Sequence, residues 1–359
     1  MRIAVVAILA LVLTACGRQT PDPDRYTVLR TYGWESTVPD PQAEWNPTSY
    51  QVLARAAGGF VLLDEGGGQQ QYFSSLEHRS MNHPVWLNGN QFAFGPPRNV
   101  LRSESGTVVP HPDGLQIVRL ANNRPISTKV LAAAGYRPRR WKDQIVAQVE
   151  DRLQVVDSSG AASDFTNGFS AVPQADGPGI CYLETPVFDD DLWTARPRLS
   201  SMIIRWKPGK ITVVPRGVDA TWTVDGGVVV TVLAAEPPAK GPWWSVGTEL
   251  LYFADAKAKP VSVGRDLHAA DAHPTSNTLA AVSADGRLML VDLAGRPTRL
   301  FADQGERPRW STDGARLLVE EPLLAPAAVG GTKDARAEAA AAQGRFLRVY
   351  VLSTTTDKR

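Results

Sequence analysis

The feature that most constrains this chain is a short unit that recurs along it. Between His273 and Glu321 an apolar run, Thr278 to Val282, passes through Ala284-Asp285-Gly286 into Arg287 to Asp292. Pro308-Arg309-Trp310-Ser311-Thr312-Asp313-Gly314 then opens the pattern again, ahead of Ala315 to Glu320. Asp-Gly between short apolar runs is a hairpin signal, because the tight turn needs positive φ at its centre. A chain written this way folds as successive small antiparallel sheets.

The unit sets a ruler. Strand-like runs begin at Phe60, Leu115, Arg152, Ser201, Leu250, Arg287 and Phe346, spaced about 48 residues apart on average. That is close to the ~40–45 residues of a four-stranded propeller blade. Glu150 to Asp157 lines up with Asp285 to Asp292, and Trp222-Thr223-Val224-Asp225-Gly226 with Trp310 to Gly314. His273 occupies the Trp slot once in this alignment, and Trp86-Leu87-Asn88-Gly89 matches it loosely. The reading is an all-β propeller of about seven four-stranded blades, with six or eight as the alternatives. The final unit runs out of chain before a fourth strand, and Arg25 to Tyr32, alternating and rich in β-branched and aromatic residues, is free to supply it. Ten Trp, 30 Gly and 27 Pro suit a chain of many turns.

The amino-terminal segment is a different kind of sequence. Arg2 precedes an apolar stretch, Ile3 to Leu13, too short to span a bilayer permanently, and Leu13-Thr14-Ala15-Cys16 follows. This closely resembles the lipobox of bacterial lipoproteins. The resemblance implies a signal peptide over residues 1–15, lipid on Cys16, a polar Pro-rich tether over 16–24 and one propeller domain over 25–359. It also implies export and a membrane partner, either an outer membrane facing the periplasm or the cell surface. With Cys16 lipidated, Cys181 has no thiol left to pair with, and its apolar setting, Ile180 to Leu183, reads as a buried, inert side chain.

The repeat carries two further resemblances. Trp310-Ser311-Thr312-Asp313-Gly314 resembles the blade opening of TolB-type propellers, with Thr312 in place of the usual Pro. Ser283 to Asp292 resembles the blades of quinoprotein-like (BamB-like) propellers, although Leu293-Ala294-Gly295 lacks their Thr and no Trp follows. Both imply architecture and transfer no functional residue.

Net charge is +1, from 38 basic and 37 acidic residues, so no basic field exists for nucleic acid. No Gly-x-Ser-x-Gly, His-Glu-x-x-His or Cys-x-x-Cys occurs, and Gly66-Gly67-Gly68 lacks the Lys of a phosphate loop. His268, Asp271 and His273 are potential ligands within one short stretch, but the strand register favours packing over a metal. Asp189-Asp190-Asp191 lacks the spacing of a calcium loop and reads as a solvated acidic turn. No catalytic residue, metal or cofactor is expected.

Three insertions leave the repeat, near 185–197, 234–244 and 322–344; the last contains an Ala-rich run over 334–343. Long irregular connections carry function more often than repeat turns. Trp193, Trp243 and Trp244 lie on or beside them and are the candidate partner-binding residues. The expected role is a non-catalytic protein-binding scaffold of the bacterial envelope. The alternatives are an envelope hydrolase or lyase and a sugar or small-ligand binder using the central channel. Replacing Cys16 by Ser should move the protein from the membrane to the soluble fraction and abolish incorporation of radiolabelled palmitate. A wild-type chain that takes up no palmitate would overturn the lipid reading.

Overall fold

Seven four-stranded antiparallel sheets succeed one another along the chain. The computed structural model describes residues 26–36, 38, 40–56, 59–65, 69–74, 82–95, 100–102, 108–110, 114–185, 200–236, 243–294, 299–322 and 345–354. Blades 1 to 6 open with the inner strands Glu44–Trp45, Asn82–Asn88, Tyr136–Trp141, Phe169–Pro173, Gly217–Trp222 and Leu267–Ala272. Blade 7 opens with Glu306–Trp310, continues through Arg316–Pro322 and Arg345–Thr354, and is completed on its outer edge by Tyr26–Ser36. The amino-terminal strand therefore closes the ring, as the missing fourth strand required. Pairing runs from Tyr26 opposite Thr354 to Ser36 opposite Arg345, four residues further than the sequence pattern alone marked.

All seven runs used as the ruler are third strands of their blades, from Gly59–Leu63 in blade 1 to Arg345–Thr354 in blade 7. Gly59–Leu63 is buried throughout, whereas Leu115–Ala121 and Arg152–Val156 mix buried and partly exposed residues. The core is not one cluster but seven, each lying between two adjacent blades. Leu53, Phe60 and Leu62 of blade 1 face Trp86, Phe92 and Phe94 of blade 2. Their neighbours Val52, Ala54 and Val61 turn the other way, toward Leu318, Leu347 and Val349 of blade 7. Alternate residues of one strand thus serve two interfaces, the strand period of two acting on both faces. The outer strands keep one side in water, and exposed Leu29, Ile126, Val130, Ile211, Val213, Val261 and Leu300 all lie on them.

The Asp-Gly turns behave as expected. Gly226, Gly286 and Gly314 have φ of 84°, 85° and 74°. Asp225, Asp285 and Asp313 accept from the hydroxyls of Thr223, Ser283 and Ser311, which lock the turns. A Cβ on Gly314 would collide with the His273 ring. One detail differs from the sequence alignment. Ala272 pairs with Leu279 as Trp310 pairs with Leu317, so Ala272 holds the Trp slot and His273 sits one place later, equivalent to Ser311. The two turns are of equal length, seven positions from Ala272 to Leu279 and from Trp310 to Leu317, so matching the His273 ring to the Trp310 ring hid this offset.

Three of the tryptophans at that slot latch blades together, while the Trp310 Nε1 bonds nothing among the described residues. The indole Nε1 of Trp45 donates to the Arg309 carbonyl at 2.9 Å, that of Trp86 to Glu44 at 3.3 Å, and that of Trp222 to Val172 at 2.9 Å. Each acceptor belongs to the inner strand of the preceding blade. The closing strand adds its own latch, with Tyr26 packed on His273 and Trp310 and its hydroxyl 3.2 Å from Ser276 Oγ. A chain lacking residues 26–36 should melt roughly ten degrees or more lower, because buried Tyr26 and Trp34 are lost and each kcal/mol is worth about 2–4 °C at this size. An unchanged midpoint by circular dichroism would show that the ring does not need this strand.

Candidate functional site in the axial channel

The inner strands share a local irregularity that aims side chains at the axis. In five of the seven blades a non-glycine residue there takes a left-handed conformation: Gln42, Arg137, Ser170, Ala269 and Arg307, with φ between 46° and 50°. A register shift accompanies it in the blades of Arg137, Ser170, Ala269 and Arg307. Such bulges re-aim side chains at some cost in backbone strain. Two residues further on, at one level of the channel, stand Glu44, Arg139, Val172, Asp271 and Arg309, with Thr221 at the equivalent place in blade 5.

Charge is concentrated at this level. Glu44, Arg139, Asp271 and Arg309 come from blades 1, 3, 6 and 7, and Asp219 of blade 5 joins them. Arg139 and Arg309 act electrostatically on each other, and both act on Glu44 and Asp219. Residues from blades on different sides of a seven-membered ring can do this only by converging on its axis. No two of the five form an ion pair. The Arg139 and Arg309 guanidinium groups donate instead to the carbonyls of their own preceding prolines, Pro138 at 3.4 Å and Pro308 at 3.0 Å. Asp271 accepts from the Trp310 backbone amide at 2.7 Å and Asp219 from that of Ala220 at 2.9 Å. Each side chain lies deep in the molecule yet keeps part of its surface open. That combination describes a narrow polar channel, not a packed core.

Burial shapes the ionisation of the channel. It pushes the Asp271 carboxyl up to about 6, against the pull of Arg309, and raises Asp219 in the same direction. Glu320, on the strand paired with Glu306–Trp310, is pushed up to about 7 by burial despite the Arg307 charge beside it. Arg139 is lowered by burial, only partly offset by Glu44. Arg309, opposed by burial but surrounded by Asp271, Glu44 and Asp219, is held above its ordinary value.

Topology gives this channel one distinctive end. The connections between second and third strands of blades 2, 4, 5 and 7 are the long ones, spanning 96–114, 184–200, 234–247 and 323–344. All four leave from the face where inner strands begin, which also carries Arg137, His268 and Arg307. The described strand ends that flank the three sequence-predicted insertions therefore lie on the face of the channel mouth. Trp244 sits in a 3-10 turn, Trp243–Val246, within one of them, and stacks face-on against His268 at 4.5 Å and 14°. Trp193, the Asp189 to Asp191 run, the 334–343 run and Cys16 lie outside the described residues, as does the side chain of Trp243.

The remaining candidates separate. His268 lies under Trp244, His273 bonds the Gly314 carbonyl at 3.2 Å beside Trp310, and Asp271 faces the channel. Among the described residues, no three His, Cys, Asp or Glu are grouped to hold a metal. Cys181 is fully buried and its thiol is raised well above its ordinary value, mainly by burial. A second cavity of about 520 Å³ opens on the opposite face between blades 2 and 3, lined by Ile117, Leu131, Ile145 and Val156 with Arg119 and Lys129 beside them. Of the channel charges, sequence reasoning singled out only Asp271, and then as a potential metal ligand. Their one sequence signal is the paired Arg-Pro-Arg before a Trp, at 137–139 and 307–309.

No protein-family model and no curated protein matches the sequence. Solved structures do resemble it in fold. An oligogalacturonate lyase in complex with manganese matches with TM-score 0.54 at 11% identity, covering 91% of this chain and 92% of that one. The Pan2 WD40 domain of Neurospora crassa matches with TM-score 0.56 at 10% identity, covering 95% and 99%. A streptogramin B lyase matches with TM-score 0.50 at 12% identity, covering 90% and 97%. At such identities the likeness concerns the propeller alone, and it spans enzymes and a WD40 domain equally.

Burial depresses His268 to about 4 from 6.5. Below 6.5 the unfolded chain takes up this proton while the folded chain does not until about 4, so stability falls as pH is lowered through that window. His268→Gln should reduce this loss by about 2–3 kcal/mol in denaturant melts at pH 7 and pH 4.5. An unchanged pH slope would show that His268 is already charged in the fold.

Proposed function

We propose that this chain is an exported, non-catalytic binding propeller, held on a bacterial envelope membrane through lipid on Cys16. Its ligand is a small polar molecule seated in the insertion-bearing mouth of the axial channel. The observation that carries the reading is the layer of Glu44, Arg139, Asp219, Asp271 and Arg309, five charged groups that converge without pairing. Buried charges without partners are costly, and a channel built only for stability is better filled with apolar side chains. Groups of both signs at one level suit a ligand that carries donors and acceptors together. The lipobox resemblance supports the membrane anchor, and the TolB-type and quinoprotein-like blade turns fit an envelope propeller.

A protein partner on the same face is the second reading, and the convergence of four long connections there favours it. Trp244 is already engaged with His268, so that surface would rest on Trp193 and Trp243.

Thermal shift across a panel of amino acids, sugars and organic acids at fixed ionic strength tests the channel. A bound compound at about a hundredfold excess over its Kd stabilises by about 2.7 kcal/mol, several degrees of midpoint. The Arg139→Gln/Arg309→Gln double variant should lose that shift while melting cooperatively by itself. A compound that protects the double variant as well as the wild type places its site elsewhere.

A further inference from the structure

Arg-Pro-Arg occurs three times in the chain; the copy at 196–198 lies outside the described residues, and the other two stand in equivalent places and are neutralised differently. Arg307-Pro308-Arg309 belongs to blade 7 and Arg137-Pro138-Arg139 to blade 3. Arg307 and Arg137 are both left-handed, with φ of 46° and 48°, and both are buried, at 7% and 6% exposure. In each blade the residue just before the arginine pairs with the second strand, Glu306 with Glu320 and Tyr136 with Gln148.

Arg307 is ion-paired to two carboxylates, Glu320 of its own blade and Asp40 of the next. Arg137 has neither. Gln148 stands at the place of Glu320. Asp40 lies two residues before left-handed Gln42, and the residue two before left-handed Ser170 in blade 4 is Gly168. Gly168 has φ of 154°, and a Cβ there would strike the Tyr182 ring, so no carboxylate can occupy that position. What Arg137 does have fixes its plane: Nη1 donates to Ser170 Oγ at 3.1 Å, and the guanidinium lies over the Tyr136 ring at 4.9 Å. Its Nε and Nη2 are buried and bond nothing among the described residues; the Nε of Arg307 is likewise unbonded, its two carboxylates both being taken by Nη1, so the difference between the twins is the missing acids and the unbonded Nη2.

Nε and Nη2 form the one edge of a guanidinium that takes both oxygens of a carboxylate side-on. The protein uses this edge elsewhere: Arg348 grips Glu321 through Nε at 2.5 Å and Nη2 at 2.9 Å. Arg137 holds the same edge in a fixed orientation, buried from solvent, close enough to Arg139 for the two charges to act on one another. We infer that Arg137 is an anion-recognition residue, and that the channel ligand bears a carboxylate which completes the ion pair that Asp40 and Glu320 supply to Arg307. This rests on the channel-binding reading and narrows it to carboxylic acids. Ser170 and Tyr136 are positioning residues for that guanidinium.

The test uses the purified full-length chain, with succinate as probe and its neutral isostere succinamide as control, in thermal shift and calorimetric titration at matched ionic strength. Succinate should stabilise the wild type and succinamide should not. Arg137→Gln should weaken succinate binding about tenfold or more, as expected for loss of a charge-assisted bidentate pair. Without ligand, Arg137→Gln should melt no lower than the wild type, since it removes an uncompensated buried charge, while Arg307→Gln should melt lower because it strands two carboxylates. Equal protection by succinate and succinamide, or succinate protection that survives Arg137→Gln, overturns the carboxylate site. If that residual protection is lost in the Arg139→Gln/Arg309→Gln variant, the channel reading stands without it. An absence of succinate protection in the wild type overturns the inference too, as does an Arg137→Gln chain that melts as low as Arg307→Gln.

Discussion

The contact between neighbouring blades is what this structure depends on. No sheet here can bury both of its faces alone, so each contributes half of two apolar clusters and the ring must close for any of them to be complete. Near the axis that contact is polar. Trp45, Trp86 and Trp222 reach backward to a carbonyl of the preceding inner strand. The side chains of Thr221 and Asp271 reach forward to the amides of Ala272 and Trp310. Such bonds fix the offset between blades that area burial alone leaves loose, because apolar packing is not directional. The repeated Trp is therefore a positional device more than a bulky filler.

Those same bonds explain how a repetitive scaffold comes to carry a particular site. Once the inner strands are locked in relative height, the residue next to each latch is delivered to a set level of the channel. Substituting it changes the channel, and at Thr221 and Asp271 also a bond to the next blade. Blade 4 presents Val172 there, blade 5 Thr221, and blades 1, 3, 6 and 7 present Glu44, Arg139, Asp271 and Arg309. The bulge just before this level, with its left-handed residue, recurs in blades whose sequences have little else in common there. Strain of this kind persists only where surrounding structure over-determines it, and here the second strand and the next blade both do so.

How much of this was legible in the sequence follows from where each signal is stored. Third strands were readable as short runs rich in apolar residues, buried throughout only in Phe60 to Leu63, whereas second strands such as Ile180–Leu183 and Val228–Leu233 are buried more completely. The closing strand was readable from a deficit, one blade short of a strand and one strand short of a blade. His273 was placed one residue early because its aromatic ring was matched to that of Trp310, while the strand pairing sets Ala272 opposite Leu279 as Trp310 is opposite Leu317. The channel layer was illegible for a different reason. Glu44 and Arg309 share one level of the channel but stand at opposite ends of the sequence, and each alone looks like an ordinary charge beside a turn. Only Arg-Pro-Arg repeats visibly, and its significance appears when the partners of the two described copies are compared.

That comparison separates structure from function within a single motif. A buried arginine that exists to hold blades together should be answered by the protein, and Arg307 is, by carboxylates from two blades at once. An arginine answered by something else must be left incomplete by the protein, and must also be held still while incomplete, or its side chain would swing to solvent. Arg137 meets both conditions: its acid partners are replaced by Gln148 and Gly168, and Ser170 with the Tyr136 ring keeps the guanidinium in place. Loss of a carboxylate by drift would explain the first condition and not the second. The cost of burying an unanswered charge is borne throughout the life of the unliganded protein. On the inference drawn for Arg137, that cost is recovered when an anion reaches the guanidinium, which ties a local charge in blade 3 to binding at the channel.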